Sequence, residues 1–205
     1  MLNFRMTMLV ATIGIGLAMA APVAAGTLKP AGVPVTVARS TLTVTPDRAW
    51  NKGARPGRLS EAWTLDGLNI NELTFYGGIA DNTTLFREVN KTTIPLPRFS
   101  KTMLLPDIAS LLESSYRVAL GTSLMKIESM EPATFAGAPG FRFTYSFAVS
   151  DEVKRKGEAR GAIIGEKLYM ATYEAPQIHY FDHDLESFNK IAASAAFPVV
   201  TGKKK

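Results

Sequence analysis

The chain has 205 residues, a formal net charge of +5 and no cysteine. Without a thiol it can form neither a disulfide framework nor a lipid anchor on cysteine, so its stability must come from a packed core. The positive excess is mild and partly terminal, with no zinc-ligand spacing and no long basic stripe, which argues against a nucleic-acid partner.

Residues 1–6 carry one charge, Arg5, and the thirteen residues 8–20 carry none. Small residues follow, Ala21-Pro22-Val23-Ala24-Ala25. A basic start, a short apolar middle and small side chains before the cut form the pattern of a secretory signal peptide, here residues 1–25 with cleavage after Ala25. The apolar stretch is well short of the roughly twenty residues that cross a bilayer as a helix. The expected mature protein is periplasmic or secreted, with no transmembrane segment after cleavage.

Residues 26–34 hold Gly26, Pro30, Gly32 and Pro34 and read as a flexible lead-in to a single α+β domain over residues 35–200. Residues 35–44 have strand composition, broken near Arg39-Ser40. Residues 51–58 (NKGARPGR) read as an exposed loop. Strands are predicted over 61–65 and 71–76, linked through the turn dipeptide Asp66-Gly67 and ended by Gly77-Gly78. Residues 84–89 form a further short strand candidate, and Ile94-Pro95-Leu96-Pro97 is extended.

A helix is predicted over 106–120, with Pro106 in its first turn and Gly121 as its stop. Its apolar face is Ile108, Leu111, Leu112, Ser115 and Ala119. A strand meander follows. Residues 124–130 are one candidate, and 141–147 alternate Phe, Arg, Phe, Thr, Tyr, Ser and Phe, with one face buried. Residues 151–157 (DEVKRKG) read as a charged loop, and 159–164 with 168–173 as a hairpin turning at Gly165-Glu166-Lys167. Tyr169 and Tyr173 share one strand face and Met170 takes the other, which predicts a central strand covered on both sides. The last helix opens near Pro176 and runs to about Ala195, with the stripe Phe181, Leu185, Phe188 and Ala192. Residues 201–205 form a basic tail. The fold class is α+β, a mostly antiparallel sheet flanked by helices.

Chemistry-bearing patterns are few. His179 and His183 are the two histidines, four apart on the last helix with Asp182 between them, so both rings and one carboxylate could reach a single metal ion. The Glu that makes an HExxH arrangement catalytic is missing. Ser123-Leu124-Met125-Lys126 spells S-x-x-K, but no S-D-N or K-T-G element accompanies it. No cofactor motif is present and no enzymatic activity is expected. Trp63-Thr64-Leu65-Asp66-Gly67 reads as a strand entering a tight turn with Trp63 in the core.

Gly140-Phe141-Arg142-Phe143, the hairpin elements Arg160-Gly161-Ala162 and Lys167-Leu168-Tyr169, and Ala175-Pro176 before a helix with Phe188 and Ser194 resemble the Mog1/PsbP-like α/β/α sandwich group. The resemblance covers the C-terminal third by residues and the first half by order of elements. Residues 63–68 (WTLDGL) and Ala175-Pro176 also look like a bacterial family of exported proteins. The resemblance implies a non-catalytic accessory protein of the bacterial cell envelope, working through contacts with an envelope protein partner. Exposed loops at 51–58 and 151–157 are the expected contact points, and a metal or small-ligand carrier at His179, Asp182 and His183 is the alternative.

Overall fold

The computed structural model describes residues 28–53, 57–67, 70–89, 94–122, 125–149 and 151–198. The expected signal peptide with its cut, the basic tail at 201–205, Ser123-Leu124 and part of the 51–58 loop lie outside the described residues.

Strands β1 (Leu28–Lys29), β4 (Trp50–Lys52), β5 (Ser60–Thr64), β6 (Glu72–Ile79), β7 (Lys126–Phe135), β8 (Ala138–Ala148), β9 (Lys154–Ile164) and β10 (Lys167–Pro176) form one sheet in the order β1-β4-β5-β6-β10-β9-β8-β7. Every neighbouring pair in it is antiparallel. Strands β2 (Val35–Thr36) and β3 (Thr43–Val44) pair separately as a small hairpin. Helix α1 (Leu105–Leu120) packs on one face of the large sheet, and α2 (Tyr180–Ala193) packs on the other with the β2–β3 hairpin.

Alternation decides which side chains meet which helix. Phe141, Phe143, Tyr145 and Phe147 are buried toward α1 while Arg142, Thr144 and Ser146 face away. β10 is central: Met170 joins the α1 core and Tyr173 the α2 core. Helix α1 starts where Asp107 accepts the free Leu104 N–H at 2.8 Å and stops at Gly121, whose φ of 67° is left-handed. Its inward face is Ile108, Leu111, Leu112, Ser115 and Tyr116; Ala119 has turned to solvent.

Five local expectations change. Gly77-Gly78 does not end β6, which runs to Ile79: a β-carbon at Gly77 would sit 2.7 Å from the Ala38 carbonyl oxygen, and Gly78, with φ of 76°, lies at the register shift beside Tyr169. These glycines admit close packing and a bulge. Residues 84–89 contribute only an isolated bridge, Thr84 to Arg98. The charged run at 151–157 is mostly strand, because β9 begins at Lys154 and Gly157 pairs with Glu174 and Tyr145. Helix α2 begins at Tyr180, since Ala175 and Pro176 are still paired with β9. Leu28–Lys29, placed in the lead-in by composition, pair with β4, and the Lys29 ammonium reaches Glu61 at 2.9 Å.

A buried side chain, Asn71, ties the α2 face together. Its Oδ1 accepts from Thr64 Oγ1 and from the N–H groups of Leu65 and Asp66, at 2.9–3.0 Å. Its Nδ2 donates to Asp66 Oδ2 at 2.7 Å and to Asp184 Oδ2 at 3.1 Å. Asp184, buried on α2, also takes Arg48 at 3.0 Å and meets His183 Nδ1 at 2.9 Å. The Asp66-Gly67 turn is thus locked to the helix across the sheet. Replacing Asn71 with Ala strands these partners, and an unpaired buried polar group costs about 1–3 kcal/mol. Urea unfolding of Asn71→Ala is therefore expected to show a loss of about 2–4 kcal/mol.

Candidate functional site

The α1 face of the sheet ends in a polar pocket. Four strands supply one row across it: Tyr145 on β8, Gly157 on β9, Glu174 on β10 and Glu72 on β6 are successive cross-strand partners. Gly157 is the hinge of this row. A β-carbon there would lie 2.2 Å from Tyr145 Cζ, so the missing side chain is what lets the Tyr145 ring cross β9 and reach Glu174. The Tyr145 hydroxyl donates to Glu174 Oε1, and the Tyr116 hydroxyl, arriving from α1, donates to the same oxygen.

Glu174 and Glu72 face each other on neighbouring strands, a placement that brings like charges together and is destabilising when both ionise. Thr74 Oγ1 donates to Glu72 at 3.0 Å. Burial raises the Glu174 carboxyl, the two tyrosine hydrogen bonds and Arg155 pull the other way, the facing Glu72 adds to the rise, and the net result is about 7. Burial also raises Glu72. Tyr76, Tyr116 and Tyr145 are held far above the usual phenol range, first by burial and then by the Glu174 charge. The tyrosines are therefore fixed donors and Glu174 is the group that titrates.

Glu72 and Glu174 line a cavity of about 280 Å³, with Thr74, Tyr76, Phe86, Tyr116, Phe147 and Arg155 completing most of the wall. Arg155 is buried and its guanidinium is engaged by Asp151 at 2.7 Å. Aromatic rings around paired carboxylates suit a positively charged group, which gains from both the ring faces and the acids. Phe86 and Leu120 also line a second cavity of about 390 Å³, walled by Val89, Ile94, Leu96 and Val118.

No family model matches the sequence, and comparison with curated proteins finds no match. Among solved structures, the cyanobacterial PsbP (CyanoP) of Synechocystis is similar at a TM-score of 0.53 and 14% identity, over 89% of this chain and 99% of that one. The fold is PsbP-like. LpqN, involved in cell envelope biogenesis of Mycobacterium tuberculosis, is similar at 13% identity over 81% of this chain and 90% of that one, with a TM-score of 0.40, too low to bear on the fold.

Within this PsbP-like sandwich, the residues singled out from sequence lie on the opposite face from the cavity. His179 precedes α2 with φ of 71°, and its ring stands 5.7 Å from that of His183. Asp182 is exposed, and His183 is engaged by Asp184. Among the described residues no three His, Asp or Glu side chains are grouped to hold a metal ion. Sequence reasoning missed Glu72, Glu174 and Gly157. The available signal was polar character on inward strand positions: Glu174 follows Thr172 and Met170 at spacing two, and Glu72 precedes Thr74 and Tyr76.

Glu174 titrates above its ordinary 4.5 in the folded chain, so the folded state holds a proton that the unfolded chain has released. The stability this gives is complete below about 4.5 and is lost as pH rises through about 7. Urea unfolding between about pH 5 and about pH 8 is expected to show a loss on the order of 1–3 kcal/mol, and Glu174→Gln to flatten it. A flat profile in the unaltered protein would contradict the assignment.

Proposed function

We propose that the protein is an exported, non-catalytic accessory protein of the bacterial cell envelope, acting by binding a partner protein. The observation that carries this reading is the junction of the two cavities at Phe86 and Leu120. Around the second cavity, Val89, Ile94 and Leu120 are exposed, at 87%, 57% and 42%. An exposed apolar patch beside a deep socket has the anatomy of a protein interface, in which one anchor side chain fills a pocket and the surroundings exclude water. The acidic, aromatic socket selects a cationic anchor, a lysine, an arginine or an amino terminus.

Export is supported by the pattern of residues 1–25, and the PsbP-like fold is consistent with an accessory role. Among the described residues no helix is long and apolar enough to cross a membrane. The alternative, a metal carrier at His179, Asp182 and His183, draws only on the approach of the two rings.

Cross-linking in intact host cells, read by mass spectrometry, is expected to recover one envelope protein in near-stoichiometric amount. Glu72→Ala, at the mouth of the row, is expected to reduce that recovery about tenfold or more, the scale for losing one anchor contact. Recovery of background alone from the unaltered protein would sink the proposal. Zinc titration is expected to show no saturable site; saturable binding abolished by His179→Ala with His183→Ala would move the function to that end of α2.

A further inference from the structure

A third concave feature is an open cleft of about 450 Å³ lined by Arg39, Gly57, Arg58 and Arg87. Three separate segments bring these arginines together. Arg39 lies in the turn between β2 and β3, where Ala38 and Arg39 have φ of 52° and 54°, a left-handed conformation that side-chain-bearing residues seldom adopt. Val37 N–H bonds the Leu42 carbonyl and Ser40 N–H bonds the Val37 carbonyl, both at 3.0 Å, and Gly77 packs against the Ala38 carbonyl. Gly77 N–H also donates to the Leu59 carbonyl at 2.8 Å, which ties the Arg58 segment to the same point of β6. Gly57 approaches the Leu85 carbonyl so closely that a β-carbon would be 2.2 Å from its oxygen, setting Arg58 beside the segment of Arg87. The backbone under all three side chains is tightly packed although the side chains are exposed.

Pairing separates these three from the rest. Among the described residues, Arg48, Arg98, Arg117, Arg142, Arg155 and Arg160 each hold a carboxylate within 3.1 Å. Arg39, Arg58 and Arg87 have no such partner among the described residues, and Glu88, next to Arg87, is engaged by Arg98 at 3.1 Å. Among the described residues, the arginines without a carboxylate are the ones that share this cleft. Like charges held together repel one another and create a positive potential, which an oxyanion relieves. Guanidinium forks match phosphate oxygens in spacing and planarity.

We propose that the cleft of Arg39, Arg58 and Arg87 is a binding site for a phosphate group. The site is separate from the carboxylate cavity, and it borders the proposed interface, because Arg87 also lines the second cavity. Free phosphate compounds and the headgroups of acidic phospholipids present the same chemistry, and the test separates them. The full chain is titrated with inorganic pyrophosphate by calorimetry, and is sedimented with phosphatidylcholine vesicles containing phosphatidylglycerol. The triple variant Arg39→Ala, Arg58→Ala, Arg87→Ala is run beside a control of equal charge, Arg117→Ala, Lys126→Ala, Lys190→Ala.

Pyrophosphate binding weakened about tenfold or more in the first variant and little changed in the control supports a site for soluble phosphate compounds. Vesicle binding alone, lost in the same pattern, supports a lipid headgroup. Absence of both, or equal weakening in the two variants, overturns the proposal. The thermal midpoint of the first variant is expected to match or exceed that of the unaltered chain, because the removed charges only repel one another.

Discussion

Two carboxylates facing each other on neighbouring strands must share a proton, find cations or separate, and the α1 side of this molecule is arranged around that constraint. Glu72 and Glu174 are set opposite by the register of β6 and β10. Arg155 is near but already engaged by Asp151. The solution is a carboxyl raised to about 7 and steadied by two phenol hydroxyls on one oxygen. That arrangement needs Tyr145 to pass over β9, so Gly157 is as much a part of the site as the acids. It also needs Tyr116, which brings α1 into the same contact and makes the helix a wall of the cavity.

The opposite face solves a similar problem with hydrogen bonds. Asp66 and Asp184 are also brought together, but Asn71 donates to both, and Arg48 satisfies the second. Every polar atom named there has a partner, and the outcome is a rigid attachment of α2 to the β5–β6 turn. The contrast assigns the roles of the two faces: one is closed by hydrogen bonds, the other keeps partly open acids in a cavity. A satisfied polar network stabilises and specifies a packing, whereas an acid pair retained beside a void is held at a cost.

Legibility from sequence followed the reach of local physics. The alternation of residues 141–147, the stripe of α1 from Ile108 to Ser115 and the two-sided burial of β10 depend on period alone, and all three appear in the structure. The resemblance to the PsbP-like sandwich rested on the same meander and led to the correct fold. What period cannot reveal is register between strands distant in sequence. Glu72 and Glu174 are about a hundred residues apart and become neighbours only because β10 inserts beside β6. Gly77 and Gly78 read as the end of a strand and Gly157 as part of a charged loop, because a glycine that admits close packing is indistinguishable, in sequence, from one that ends a strand or sits in a loop. The histidine pair drew attention for its spacing, while the acids of the cavity had no motif to announce them.

The central claim is that Glu174 carries its proton near neutral pH because burial and Glu72 oppose its ionisation. Carbon-detected NMR of the glutamate carboxyls, followed through a pH titration of the protein and of Glu72→Gln, tests it directly. The account predicts one carboxyl with a midpoint near 7 that moves down when Glu72 is neutralised. A Glu174 midpoint at the ordinary 4.5, unchanged by the substitution, would contradict it.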